Sequence, residues 1–172
     1  MSTAAPDPVP VPVDPVTFRR VVGRYATGVT VVTACLDGVD HAMTANAFTS
    51  VSLEPVLVLV CVEKEARFHD AILETGLWGV SVLDASGRRA AEWLATRGRP
   101  LIGQLEPYAI HRGEHTGAAL FDESLATLEC RTWAVYDGGD HSIVVGEVLA
   151  LDLVHPEGDP LLYFRSAYHH LG

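Results

Sequence analysis

The chain has 172 residues, of which 48% are hydrophobic and 20% charged, and its formal net charge is -10. This length suits one globular domain, and this composition excludes disorder throughout. Nucleic acids require a basic binding face, so the acidic excess opposes a nucleic-acid partner. The longest apolar run, Val56–Val62, is too short to cross a bilayer, and no membrane partner is expected. Because no charged-then-apolar signal segment opens the chain, we expect a cytoplasmic protein.

The first thirteen residues differ in composition from the rest. Proline recurs at nearly every second position of residues 6–12, which disfavours strand pairing and favours an extended backbone. We therefore predict a flexible arm over residues 1–13 and a single folded domain over residues 14–172.

A helix is predicted directly after the arm. Asp14-Pro15 is typical of a helix start, with an N-cap followed by proline at the first helical position. One helical face is apolar and carries Phe18, Val21, Val22 and Tyr25. Gly28 is expected to end this helix.

Strand patterns dominate the remainder of the chain. They cover Val29–Leu36, Val39–Ala45, Ala47–Leu53, Val56–Val62, Leu77–Leu83, Ala126–Tyr136, His141–Val154 and Leu161–Arg165. Val56–Val62 is apolar throughout, which is expected of a strand covered on both faces. Two more short helices are predicted, Lys64–Thr75 and a helix from Ser86, as its cap, to Arg97.

Hairpin turns recur, for example at Asp37-Gly38, and strands do not alternate with helices along the whole chain. This pattern favours a mainly β fold, an antiparallel barrel with a few short helices, over a doubly wound parallel sheet. The irregular segment Arg99–Ser124 is long for a compact domain, and we interpret it as a lid or an interface arm.

Cysteine and histidine spacing favours neither a disulfide framework nor a metal site. Cys35, Cys61 and Cys130 are far apart in apolar contexts, which is typical of reduced core thiols. His111 and His115 are four residues apart, but the glycines around them favour a loop. We expect no bound metal.

Small polar residues interrupt the apolar strands at one place. Thr44, Asn46, Thr49, Ser50 and Ser52 lie between apolar neighbours. Small side chains would let a flat ligand approach the backbone, where hydroxyl, amide and main-chain groups can match a ring that bears donors and acceptors. An edge strand with a solvated polar face explains the same pattern equally well. Phosphate-loop, dinucleotide-fingerprint, nucleophile-elbow and C-x-x-C motifs are absent from the sequence.

Four segments in order resemble the flavin reductase domain family, the small reductases of two-component flavin monooxygenases. They are Tyr25–Thr33, Thr44–Pro55, Gly139–Val148 with its Gly-Asp-His sequence, and Pro160–Arg165. The resemblance covers roughly residues 16–171. It implies an FMN-binding split β-barrel, usually a homodimer with flavin near the subunit interface.

The resemblance also implies an activity: reduction of FAD or FMN by NADH or NADPH, with release of reduced flavin to a partner monooxygenase. The sequence offers no obvious basic clamp for a 2′-phosphate, which favours NADH. Two other functions stay open, a flavin carrier without turnover and a split-barrel oxidase that retains its flavin. Hydride passes between cofactors, so no catalytic acid or base is assigned.

Site residues follow from the resemblance by position. Those implied for the flavin ring, the ribityl chain and the adjoining wall are Thr44, Ala45, Asn46, Ser50, Val51, Ser52, Cys61 and Val62. For the flavin phosphate the implied residues are Lys64 and Arg67 at a helix start, because Glu65 and Ala66 replace the family's small hydroxyl residues. His141 is implied for the nicotinamide nucleotide; without the resemblance it reads as a turn residue that begins a strand. Tyr163 and Arg165 are implied for the flavin tail or nucleotide phosphate, with a simple strand-end role equally open.

Overall fold

The computed structural model describes residues 12–171. Three α-helices lie in this part of the chain: α1 (Pro15–Val22), α2 (Arg67–Thr75) and α3 (Arg88–Ala95), the last preceded by a 3-10 turn at Ala85–Gly87. The strands are β1 (Thr27–Gly28), β2 (Thr30–Leu36), β3 (Val39–Ala45), β4 (Phe48–Leu53), β5 (Val56–Glu63), β6 (Leu77–Leu83), β7 (Ile110–Arg112), β8 (Ala119–Phe121), β9 (Ser124–Gly138), β10 (His141–Leu153), β11 (Leu162–Phe164) and β12 (Ala167–His169). The predicted arm falls almost wholly outside the described residues. No helix in the described part is long and apolar enough to cross a membrane.

The main sheet has seven strands in the order β3-β2-β6-β9-β10-β5-β4, all antiparallel to their neighbours. Its outermost strands, β3 and β4, are joined by only Asn46 and Ala47. In a flat sheet these edges would lie about 29 Å apart, whereas this connection spans at most about 11 Å. The sheet must therefore curl until its first and last strands meet at a seam, which confirms the prediction of a mainly β, split antiparallel barrel.

Two apolar clusters lie on opposite faces of the barrel wall. The first packs Phe68 and Ile72 of α2 against Trp78 and the inward side chains of β2, β5 and β10. The second packs Leu94 of α3 and Phe121 of β8 against the other face of β2. Strand β5 is only partly as predicted, because Val58, Val60 and Val62 are buried while the residues between them are partly exposed.

Helix starts and ends differ from the predictions in four places. Asp14 caps α1 as predicted, with Thr17 N donating to Oδ2 at 2.8 Å, but the helix ends at Val22 and Gly28 lies in β1. Helix α2 begins at Arg67 rather than Lys64. The predicted Ser86 cap is wrong: Asp84 Oδ1 accepts from Ser86 N and Gly87 N at 2.9 and 3.2 Å, because a carboxylate two residues earlier satisfies those amides. Helix α3 ends at Ala95 and not at the predicted Arg97.

The irregular segment after α3 contains the β7–β8 hairpin, held by a buried carboxylate. Glu129 Oε2 on β9 accepts from His115 N, Thr116 N and Thr116 Oγ1 at 2.9, 2.7 and 2.7 Å. His111 Nδ1 instead lies 2.8 Å from Asp122 Oδ1. Within residues 12–171 no group of three His, Cys, Asp or Glu side chains is arranged to hold a metal.

Replacement of Glu129 by glutamine is expected to lower the free energy of unfolding by about 1–3 kcal/mol at pH 7, because an amide cannot accept all three hydrogen bonds. Burial alone would raise the pKa of this carboxyl, but the bonds from Thr116 and His115 lower it below its ordinary 4.5. Its contribution is therefore complete above about pH 4.5 and lost as pH falls through the folded-state pKa. Urea unfolding of wild type and variant at pH 7 and at acid pH measures both effects.

The control is Glu147→Gln, which removes a surface carboxylate paired with Arg131 and should cost about 1 kcal/mol or less. Equal losses for the two variants, or unchanged acid sensitivity in Glu129→Gln, would contradict the role given to Glu129.

Candidate functional site

A pocket of about 590 Å³ opens beside the seam of the barrel. Its walls come from the β3–β4 turn (residues 44–47), Cys61 of β5, the first turn of α2, residues 97–104 and His141 at the start of β10. Elements remote in sequence meet here because the curled sheet brings both of its edges beside β5 and α2.

The β3–β4 turn presents small side chains to this pocket. Ala45 is buried, and Asn46 and Ala47 are exposed. The Thr44 hydroxyl donates to Ala91 O of α3 at 2.7 Å, and Ala47 O accepts from Cys61 N at 3.0 Å. Thr44 therefore fixes the turn to α3, and the open surface of this wall comes from Asn46 and Ala47.

Cys61 faces the pocket from the neighbouring strand. Burial raises the pKa of its thiol, so the group stays neutral near pH 7. Cys130 lies in the core, where burial is the main cause that raises its pKa to about 12. All three cysteines are free, as the spacing predicted.

The pocket lining also carries charged side chains of both signs. Arg67, Arg97, Arg99 and His41 line it together with the carboxylates Glu63 and Glu65. Arg97 Nη2 donates to both carboxylate oxygens of Glu63 at 2.6 Å, whereas Arg67 Nη2 donates to Arg99 O at 2.7 Å. Burial lowers the pKa of the Arg99 guanidinium, and the Arg67 charge lowers it further. Neither Arg99 nor His41 was singled out from the sequence, since no motif marks them.

Arg99 is held by neutral acceptors. Its guanidinium donates to Gln104 Oε1 at 3.1 Å, to Thr96 O at 2.8 Å and to Ala42 O. Gln104 is buried and donates in turn to Asp40 O at 2.7 Å. The start of the irregular segment thus forms one wall of the pocket, and its remainder forms the β7–β8 hairpin.

Lys64 lies outside the pocket lining. Its Nζ is 2.5 Å from Asp137 Oδ1, and its backbone N donates to Asp140 O at 3.0 Å. A third contact joins His69 Nε2 to Ser142 Oγ at 2.9 Å. Lys64 therefore fastens the β9–β10 hairpin to the start of α2, and its predicted role at the flavin phosphate gains no support from the pocket lining.

His141 follows the turn of that hairpin and lines the pocket rim. Its Nδ1 lies 2.8 Å from Asp140 Oδ1, and this hydrogen bond lowers the pKa of the Asp140 carboxyl. The carboxylate orients the imidazole, which leaves Nε2 for a ligand.

The structure does not bring the other predicted site residues into the pocket lining. Ser50, Val51 and Ser52 lie further along β4, and the Val62 side chain is buried in the core. Tyr163 packs on Tyr168 with ring centroids 5.3 Å apart, and the Arg165 guanidinium lies 4.9 Å from the Phe164 ring. Both belong to the small β1-β11-β12 sheet and its turn.

Comparison with known proteins identifies the family and the fold. Residues 22–172 match the family model described as "Flavin reductase like domain". The reductase component of 4-hydroxyphenylacetate 3-monooxygenase from Thermus thermophilus is 41% identical over 154 residues, covering 90% of this chain and 95% of that protein.

Solved structures give the same result. BorF, the flavin reductase component of a bacterial two-component tryptophan halogenase, superposes with a TM-score of 0.87 at 46% identity, covering 92% of this chain and 98% of that one. SgcE6, the NADH:FAD oxidoreductase of Streptomyces globisporus C-1027, was solved in complex with NAD and FAD fragments. It matches at a TM-score of 0.87 and 38% identity, covering 95% of this chain and 98% of that one.

Proposed function

The chain belongs to the flavin reductase like domain family, and from this we propose that it is an NADH:flavin oxidoreductase. It reduces FAD or FMN and releases the reduced flavin to a partner monooxygenase. The relatives support this proposal, since they include reductase components of two-component enzymes and a structure that holds NAD and FAD fragments.

One observation carries the proposal: His141 faces the same pocket as the small side chains of the β3–β4 turn. A flavin carrier needs only the turn, whereas a reductase must place a nicotinamide nucleotide against the flavin. Small side chains on one wall and arginines on the other fit a flat ring with an anionic tail.

The cofactors supply the chemistry: the nicotinamide C4 delivers a hydride to flavin N5. The chain's part is to bind and orient. Asn46 and Ala47 offer a wall of small, exposed side chains, and Cys61 adds an uncharged thiol to it. His141 orients the nicotinamide nucleotide at the pocket rim. No side chain needs to gain or lose a proton for the hydride to move.

The test mixes the purified chain with NADH and excess FAD or FMN and follows the nicotinamide absorbance. Flavin-dependent loss of NADH is expected. If flavin binds but NADH is not consumed, the carrier is the better assignment. Oxidation that requires an unrelated organic substrate would instead indicate an oxidase that retains its flavin.

His141→Ala is expected to raise the KM for NADH about tenfold, which corresponds to the loss of one hydrogen bond of about 1.4 kcal/mol. Flavin affinity should stay nearly unchanged. Steady-state kinetics with NADH varied, together with flavin titration, separate the two effects. His111→Ala, which alters a histidine paired with Asp122 outside the pocket, is the matched control. Collapse of flavin binding in His141→Ala would refute this role.

We also propose that the chain is a homodimer. Exposed large apolar side chains form two groups. One lies on β4, β5, β9 and β10: Val51, Leu53, Val56, Trp133, Val135, Tyr136, Leu151 and Leu153. The other lies on and beside α1: Val13, Val16, Phe18, Val21, Val22 and Tyr25. Monomeric proteins rarely expose so many apolar groups together, and such patches mark protein interfaces.

We further propose a cytoplasmic location, because three free thiols suit a reducing compartment.

Trp133→Asp is expected to shift the chain from dimer to monomer, because an unpaired charge would be buried at the interface. Analytical ultracentrifugation across a concentration series measures the shift. Ile102→Asp, which alters a still more exposed apolar residue off these strands, should remain dimeric. A monomeric wild type, or a variant as dimeric as wild type, would contradict the assignment.

A further inference from the structure

A hydrogen bond between α2 and β10 lies directly behind the rim of the pocket. His69 Nε2 on α2 is 2.9 Å from Ser142 Oγ on β10. Ser142 is buried, and within residues 12–171 its hydroxyl has no other partner. The second contact of the imidazole, from Nδ1 to Asp70 Oδ1 at 3.4 Å, reaches a carboxylate in solvent. The buried polar contact of His69 is therefore the one with Ser142.

Each partner of this bond is next in sequence to a residue that lines the pocket. Ser142 follows His141, and His69 follows Phe68. Side chains alternate between the two faces of a strand, so His141 faces the pocket while Ser142 faces α2. The bond thus joins the start of α2, which forms one wall of the pocket, to the strand that carries the rim histidine.

The other contacts around His141 do not determine how α2 lies against β10. The Nδ1 atom of His141 is 2.8 Å from Asp140 Oδ1, but that carboxylate is 88% exposed, and exposed pairs of this kind contribute little. Main-chain pairing with β5 and β9, and the bond from Lys64 N to Asp140 O, fix the register of the strand. None of these contacts involves a side chain of α2.

Apolar packing alone would leave the position of α2 on β10 loosely defined. Phe68 and Ile72 of α2 share one apolar cluster with Val144 of β10, and the hydrophobic effect is non-directional. A hydrogen bond has a preferred distance and angle. Among the hydrogen bonds of the described residues, the one between His69 and Ser142 alone joins a side chain of α2 to β10. It therefore sets the position of the helix on the strand.

We propose that His69 is a positioning residue for the reaction. Through Ser142 it sets the distance between His141 and the opposite walls of the pocket, so that the nicotinamide ring lies against the flavin. This inference rests on the proposed function, in which His141 orients the nicotinamide nucleotide. His69 itself touches no ligand, because it is not part of the pocket lining. Misplacement by about 1 Å in such a site costs up to ~100-fold in rate.

The test replaces His69 by three residues that differ in where they hold a hydrogen-bonding group. The glutamine amide reaches the place of Nε2 and keeps a partner for Ser142, the asparagine amide reaches only the place of Nδ1, and leucine offers none. NAD⁺ is titrated calorimetrically into protein saturated with oxidised FAD, so that no hydride moves. His69→Leu and His69→Asn should bind NAD⁺ roughly three- to tenfold more weakly, where tenfold is the loss of a whole hydrogen bond. His69→Gln should stay within about twofold of wild type.

A double-variant cycle with His141 separates positioning from structural support. His141→Ala removes the imidazole that His69 positions, so adding His69→Leu should weaken NAD⁺ binding by less than about twofold further. Flavin affinity, measured by fluorescence quenching, should stay within about twofold of wild type in every His69 variant. Ser142→Ala removes the same bond from its other side and should match His69→Leu. That measurement stands even if a His69 variant fails to fold.

Asp137→Asn is the matched control, because it breaks the exposed ion pair between Lys64 and Asp137 on the same hairpin and leaves the bond of His69 in place. Its NAD⁺ affinity should equal that of wild type. Wild-type NAD⁺ affinity in His69→Leu, equal weakening of NAD⁺ and flavin, or additive losses in the double variant would each overturn the inference. Failure of the proposed function looks different, because wild type would then consume no NADH with any flavin, whatever the variants do.

Discussion

Asn46→Trp is expected to abolish flavin binding while the fold stays intact. Asn46 lies in the two-residue connection at the seam, where its side chain is exposed and borders the pocket. An indole there would occupy the space against the flat wall that a flavin ring needs. A dissociation constant raised at least ~100-fold, about 2.7 kcal/mol, is expected. Flavin titration measures the affinity, and thermal unfolding shows whether the fold survives.

Thr49→Trp is the matched control for this experiment. Thr49 is exposed on β4, three residues further along, and does not line the pocket. It should accept an indole with flavin affinity within about twofold of wild type. If Asn46→Trp binds flavin as wild type does, the β3–β4 turn is not the flavin wall and the pocket has been assigned wrongly.

Gly146→Ala is expected to give a large loss of stability. Gly146 lies in β10, and a Cβ built on it would be 2.2 Å from Cζ2 of Trp78. Trp78 is fully buried, and its Nε1 donates to Thr132 Oγ1 at 3.2 Å, so the indole has no room to retreat. Overpacking of this kind costs about 1–3 kcal/mol and sometimes more. Urea unfolding of the variant measures the loss.

Gly28→Ala provides the comparison, because nothing lies within 4 Å of a Cβ built on Gly28; its stability should change by less than about 0.5 kcal/mol. The double variant Gly146→Ala, Trp78→Phe should lose less free energy of unfolding than the two single variants lose in sum, because phenylalanine removes the clashing ring atoms. Equal stability of the two alanine variants would show that the Trp78 packing is not what requires glycine.

The strands were predictable because side-chain periodicity and turn chemistry report directly on the backbone. Asp37-Gly38 forms the expected tight turn, with positive φ at both residues, and Val39–Ala45 has the predicted bounds. The end of the first helix was missed because Gly23, five residues before Gly28, already caps it. The apolar face of this helix is also not buried: Phe18, Val21 and Val22 are exposed.

The candidate site was only partly predictable. Family resemblance pointed to the β3–β4 turn, to Arg67 and to His141, which the structure brings to one pocket. Arg99 could not be found in this way, because its position depends on how the segment after α3 folds back on Ala42. Lys64 was predicted to bind phosphate because it is a cation at a helix start, but its Nζ pairs with Asp137 of β9. The spacing of residues along the chain does not show which anionic group a lysine will contact in the folded protein.

Strand order has a consequence for how the chain folds. Hairpin β2–β3 with β6 and hairpin β4–β5 are connected into one sheet only through β9 and β10, which pair with β6 and β5 respectively. The barrel wall therefore cannot be completed until residues 124–153 are available, late in synthesis. Contacts between such distant residues carry a large loop-closure cost and slow the folding reaction. The central strands of the wall are thus the last to be added. The two earlier hairpins cannot join into one barrel until the C-terminal third of the chain has been made.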